Sequence, residues 1–324
     1  MRYDETDKKS TNIEDRRGQP AGMGMPGGGI QIPIGGGMSL TTMLIIGAVM
    51  LLFGINPLNI LFGGGGQMPE MPRMPPRSEA PSRSPGGINL PGQAPGQPAP
   101  GRTTGQAQGP QDEAGIFVAR VLKDTEDVWE RVFESFGRRY VPPKLVLFSG
   151  STRTACGMGQ AAMGPFYCPA DQRIYIDLRF FDELKRRFSA PGEFARAYVI
   201  AHEVGHHIQT QLGITDRVMQ MKSRAGQRQA NAIQVRMELQ ADCLAGVWAA
   251  LTHEMKNRLE PGDVESGLNA AAQIGDDMIQ RRMQGHVVPD SFTHGSSDQR
   301  QRWFKHGLST GSIQQCDTFS VENP

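Results

Sequence analysis

The stretch ARAYVIAHEVGHHIQTQLG, residues 195–213, decides the reading of the folded part of this chain. Its apolar residues recur at helical spacing, and His202-Glu203-Val204-Gly205-His206 spells H-E-x-x-H. Residues four apart share one face of a helix, so His202 and His206 can aim an imidazole nitrogen at one metal ion. Glu203 then sits beside them, placed to take a proton from a water that the metal activates. The longer form H-E-x-x-H-x-x-G-x-x-H is excluded, because Gln209 and Leu212 stand where its glycine and third histidine belong. His207 points about 100° away from the metal face.

A catalytic zinc takes three protein ligands and keeps one position open, so a third ligand is expected elsewhere. Met237-Glu238-Leu239-Gln240-Ala241-Asp242 puts two carboxylates on one face of the next long helical segment. Glu238 is the candidate ligand, and Asp242 the acceptor that orients a ligand histidine through its far nitrogen. Asp276 and Asp277 are the alternative ligands. His253-Glu254 has Asn257 in place of a second histidine and makes no second site.

Outward from this centre the pattern predicts an α+β domain, mostly helical with a small β-sheet, over 113–324. Helices are expected over 114–136, 193–212, 227–256, 264–283 and 297–306, and strands over 145–148 and 173–178. The second strand, Ile174 to Leu178, is either an edge that pairs with a peptide substrate or an ordinary core strand. His294 is the candidate for the further donor to the substrate oxyanion, since Ser296 and Gln299 form a capping box that starts a helix just behind it. Tyr167 and Tyr175 are alternatives, and His294 packing against Trp303 or Arg300 is the plain structural reading.

The rest of the chain is of another kind. Of 324 residues 40 are Gly and 23 Pro, too many for one compact domain. Residues 1–37 read as a disordered arm with balanced charges, and the G-x-G-x-x-G at 22–27 has neither a strand before it nor a helix after it. Residues 38–62, built on the apolar run MLIIGAVMLLFGI at 43–55, read as one membrane-spanning helix. In 63–112, 22 of 50 residues are Gly or Pro, the composition of a linker. With a net charge of +1 there is no basic field to recruit nucleic acid, and no nucleic-acid partner is expected.

All four cysteines lie in the folded part, at 156, 168, 243 and 316, with no C-x-x-C spacing. Disulfides Cys156 with Cys168 and Cys243 with Cys316 are therefore expected, and with them an extracytoplasmic domain. Arg2, Lys8, Lys9, Arg16 and Arg17 favour a cytoplasmic N-terminus, although Arg73 and Arg77 oppose that bias from the other side. The expectation is a single-pass membrane protein with its N-terminus in the cytoplasm and its folded domain outside it. Gly307-Leu308-Ser309-Thr310-Gly311 matches G-x-S-x-G, but no histidine follows it to complete a triad, and it reads as a loop after the last helix.

From Val121 to Phe319 the chain resembles the "putative neutral zinc metallopeptidase" family of bacterial membrane-anchored proteins. The matching words are VLKDTEDVW (121–129), GPFYCPADQRIYIDLRFF (164–181), AYVIAHEVGHH (197–207), ELQADCLAGVWA (238–249) and VVPDSFTHGSSDQRQRWF (287–304). The resemblance implies a zincin-like fold, Zn2+ held by His202, His206 and Glu238, and Glu203 as catalytic residue. The expected function is a zinc metalloendopeptidase acting on a peptide or protein substrate. The alternative is a zinc-stabilised module of the cell envelope that binds peptides without cutting them.

Overall fold

The computed structural model describes residues 1–18, 110–187 and 192–324. The apolar run at 43–55 and the Gly/Pro-rich segment up to 109 lie outside the described residues. Among the described residues no helix is long and apolar enough to cross a membrane.

The elements are β1 (Ile13–Asp15), α1 (Glu113–Ser135), β2 (Lys144–Phe148), β3 (Ser151–Thr154), β4 (Gly157–Gln160), β5 (Phe166–Cys168), β6 (Arg173–Asp177), α2 (Arg179–Arg187), α3 (Glu193–Gln211), α4 (Ile214–Ser223), α5 (Gln227–Lys256), α6 (Asp263–Gln273), α7 (Asp276–Gln284) and α8 (Ser297–Thr310). The α+β expectation holds. Asp112 caps α1 by accepting from Gly115 N, and the stripe Val118, Val121, Leu122, Trp129, Phe133 is buried at helical spacing. Helices α3 and α5 carry the long apolar runs and form the centre, where Phe194 and Tyr198 meet Trp248 and Phe304.

Helix α8 lies against α5 backbone to backbone. A Cβ on Gly246 would come within 2.1 Å of Phe304 O, and one on Gly307 within 1.9 Å of Cys243 O. Gly307 of the G-x-S-x-G match is thus a packing residue in the last turns of α8, not part of a loop, and Gly311 caps that helix in the left-handed region. Cys243 bonded to Cys316 ties α5 to the segment after α8, and Cys156 bonded to Cys168 ties the β3–β4 hairpin to β5. Both expected disulfides are formed.

The sheet has the order β1-β2-β6-β5, with β1, β2 and β6 parallel and β5 antiparallel. Strand β6 is therefore interior, with Ile174 and Ile176 fully buried, and the edge is β5. Of the two readings of Ile174 to Leu178, the ordinary core strand is the one that holds. Helix 264–283 is corrected, since it breaks into α6 and α7 at Gly275, where a Cβ would lie 2.5 Å from Ser297 N.

The third correction concerns the expected disordered arm. Residues 1–18 are part of the fold: β1 runs parallel to β2 with Ile13 opposite Leu145, and Leu145 N donates to Asn12 O at 2.8 Å. Several of the arm's charges are paired within the fold. Asp7 receives Arg258, and Glu14 receives Arg173 at 2.8 Å. Such pairings span 159 residues or more of sequence and leave no periodicity to read.

Candidate metal centre

Helix α3 presents His202, Glu203 and His206, and α5 presents Glu238 and Asp242. The two helices approach closely at Gly205, the second x of H-E-x-x-H, where a Cβ would come within 3.1 Å of the Ala241 backbone. That approach brings Glu238 Oε2 to 3.3 Å from His202 Nε2 and 3.4 Å from His206 Nε2. Bonds of about 2.0–2.1 Å in a tetrahedral zinc site separate its ligands by roughly 3.3–3.4 Å, the separation that Glu238 has from each histidine, and all three donor atoms lie within 4.8 Å of one another. Of the described residues, this is the one group of three that could hold a metal.

Each donor is held from behind. His202 Nδ1 donates to Asp242 Oδ1 at 2.9 Å, and His206 Nδ1 to Gln209 Oε1 at 2.8 Å. Gln209 is fixed as an acceptor there because its amide nitrogen donates to Met237 O at 2.7 Å. The Nδ1 proton of each ring is thus engaged, so a bound metal would meet Nε2. Glu238 Oε1 accepts from Gln234 Nε2 at 2.7 Å, leaving Oε2 for the centre. Asp242 makes the contact expected of it, and Asp276 and Asp277 lie outside this group of three.

Behind Asp242 lies a feature that the sequence reading missed. Arg300 on α8 is 2 % exposed and grips the carboxylate with both sides of its guanidinium, Nε to Oδ2 at 2.8 Å and Nη2 to Oδ1 at 2.9 Å. Tyr198 donates its hydroxyl to the same carboxylate. Arg300 does have a signal in sequence, because it shares the i, i+3, i+4, i+7 register with buried Trp303, Phe304 and Gly307. A charge on the buried face of a helix needs a buried partner.

The electrostatics follow from this packing. Burial pushes the Asp242 carboxyl up, but Arg300 and His202 outweigh it and hold it at about 2. His202 is raised to about 9, since Asp242 and Glu238 overcome the burial that favours its neutral ring. Burial raises Glu203, while His206 and His202 hold Glu238 well below the usual carboxylate range against its own burial. His207 points away from the centre, as expected. Its Nδ1 meets Tyr167 Oη at 3.1 Å and its Nε2 meets Val141 O at 2.7 Å, and burial lowers it to about 4.

The centre opens into a cavity of about 400 Å3. His294 lines it, half exposed, with Nδ1 3.1 Å from Asp276 Oδ1. The other oxygen of Asp276 accepts the backbone N–H groups of Thr293, His294 and Gly295, so the break at Gly275 places a carboxylate under the loop that carries the histidine. The capping box of Ser296 and Gln299 is present, and Asp277 holds Ser297 N at 2.7 Å. Burial disfavours the charged form of His294, and Asp276 reverses this, so its pKa is raised. Tyr167 also lines the cavity, whereas Tyr175 donates to Asp171 at 2.8 Å on the other face of the sheet. The remaining wall is apolar, formed by Met163, Phe166, Phe180, Ile274 and Ile279.

The comparisons agree with this centre. The model of the family described as "Putative neutral zinc metallopeptidase" matches residues 1–88 and 86–319, so the likeness includes the N-terminal region that the sequence reading left outside it. "Uncharacterized protein YpfJ" of Escherichia coli (strain K12) is 45% identical over 315 residues, 96% of each chain. "Uncharacterized protein Rv2575" of Mycobacterium tuberculosis is 41% identical over 236 residues, 69% of this chain and 78% of that protein. No solved structure matches.

Proposed function

The chain belongs to the family described as "Putative neutral zinc metallopeptidase", and from that premise we propose that it is a zinc-dependent endopeptidase of the bacterial cell envelope. One observation carries the reading: two imidazole nitrogens and one carboxylate oxygen lie within 4.8 Å of one another, next to a buried glutamate, in the wall of an open cavity. His202, His206 and Glu238 would hold the zinc. When bound, zinc supplies a Lewis acid and makes water a nucleophile at neutral pH.

The chain's own residues do the rest. Glu203 accepts the proton of the attacking water and passes it to the leaving amine. His294, anchored through Nδ1 to Asp276, has its Nε2 free to donate to the oxyanion that forms on the substrate. The edge of β5, with Phe166 and Tyr167 on the cavity wall, offers backbone groups to an extended peptide, and Met163, Phe180, Ile274 and Ile279 favour a large apolar side chain next to the scissile bond. The two disulfides support an oxidising, extracytoplasmic compartment. The apolar run at 43–55 supports attachment to the inner membrane.

The test is cleavage of a peptide library by the full chain with zinc, beside Glu203→Gln. The variant is expected to bind zinc as the parent does and to lose about 10²–10⁴-fold in kcat/KM. Zinc binding by both, with cleavage by neither, would instead identify the peptide-binding module.

A further inference from the structure

We infer that the N-terminal arm and the metallopeptidase domain lie in the same compartment, so that the chain between them does not cross a membrane a single time. The arm is joined to the domain by contacts that admit nothing in between. Strand β1 is hydrogen-bonded to β2, with Arg16 N donating to Leu147 O and Leu145 N to Asn12 O, each at 2.8 Å. Adjacent strands lie about 4.8 Å apart, whereas the hydrocarbon core of a bilayer is about 30 Å thick.

The side chains close the joint. Arg258, at the end of α5, donates to Asp7 Oδ2 at 2.8 Å, to Arg2 O at 3.0 Å and to Asp124 Oδ2 at 2.9 Å. Arg258 is 8 % exposed and Asp124 2 %, so the arm's Asp7 and Arg2 carbonyl join a buried ion cluster of the domain. Tyr3 stacks beneath the same guanidinium at 4.5 Å and edges against Phe117 at 5.8 Å. Ser10 and Asn12 both donate to the buried Glu126.

Arg16 is paired with Glu14, and Arg17 with Asp15 and Asp112, so these two cations are also part of the joint. The apolar run at 43–55 lies between two pieces of one sheet. Any membrane that it enters is left on the side of entry, and the single-pass arrangement with the two ends on opposite sides is incompatible with β1 beside β2. With both disulfides formed, the shared compartment is an oxidising one, and the arm is exported together with the domain.

The test uses the full chain and needs no activity, so it stands apart from the proposed chemistry. Lys8→Cys on the arm and Lys305→Cys on α8 are exposed positions. Each variant is treated with a membrane-impermeant maleimide in intact spheroplasts and after lysis. The same behaviour at both positions is expected, with both labelled before lysis. Labelling of one position and protection of the other before lysis would overturn the inference. Protection of both would overturn the export of the arm while leaving the shared compartment standing. As a second readout, Asp7→Ala and Arg258→Ala are combined in a double-mutant cycle on the purified full chain. Non-additive losses in Tm are expected, and strict additivity would show that the arm is not docked.

Discussion

Two buried arginines hold two regions of this molecule, and they are used differently. Arg258 is shared by Asp7 and Asp124 and closes the arm onto the domain. Arg300 faces Asp242 alone among the carboxylates, and that carboxylate turns its remaining valence toward His202 Nδ1. At the first site the cation is the end of the network. At the second the network ends on His202 of the candidate metal centre, so a charge pair that stabilises the core also orients an imidazole. The same interaction is structural in one place and functional in the other because of what lies beyond it.

Removing each arginine separates the two roles. Arg300→Ala leaves the buried Asp242 without its arginine, which costs about 3–5 kcal/mol of stability in denaturant unfolding, and Arg258→Ala costs less, because Lys256 Nζ stays 2.6 Å from Asp124 Oδ1. Only Arg300→Ala is expected to weaken zinc affinity as well, measured by chelator competition on the folded protein. A comparable loss of zinc affinity in Arg258→Ala would break the distinction.

A smaller effect is expected from Asp242→Asn, about 10–100-fold in zinc affinity, read by the same competition. The acid limb of stability sharpens this point. Asp242 sits at about 2 in the folded protein against about 3.9 in an unfolded chain, so its contribution is complete above roughly pH 4 and is lost as pH falls toward 2. In the metal-free protein, Asp242→Asn should flatten the fall of Tm over that window, and an unchanged slope would show that the pair does not carry it.

The smallest effect concerns His294. Asp276 raises its pKa, so the protonated ring persists to higher pH and is lost as pH rises through that value. Asp276→Asn is expected to move the alkaline limb of kcat/KM to lower pH with little change in zinc affinity. An unmoved limb would remove His294 from the oxyanion role.

How much of the centre was legible depended on sequence distance. His202, Glu203 and His206 lie within one turn of one helix, where spacing alone sets the face, so the motif could be read directly. Glu238 and Asp242 were legible as a pair four apart among apolar neighbours. Gln209 and Gln234, which hold His206 and Glu238 in place, were not, because a glutamine on a helix face carries no sign of what it will touch. The break at Gly275 escaped for a related reason: Asp276 and Asp277 look like first-turn acids, and the loop they hold is 17 or more residues away.

By itself the sequence determined the long helices α1, α3, α5 and α8, the H-E-x-x-H face, the acidic pair on α5 and the pairing of its cysteines, because each rests on local periodicity, spacing or count. Only the tertiary structure decided that β5 and not β6 is the free edge, that Arg300 stands behind Asp242, and that a charged arm without apolar rhythm supplies the outermost strand of the sheet. Those are pairings between distant parts of the chain. Their energy comes from burying hydrogen-bonded charges against each other, which no single segment can show.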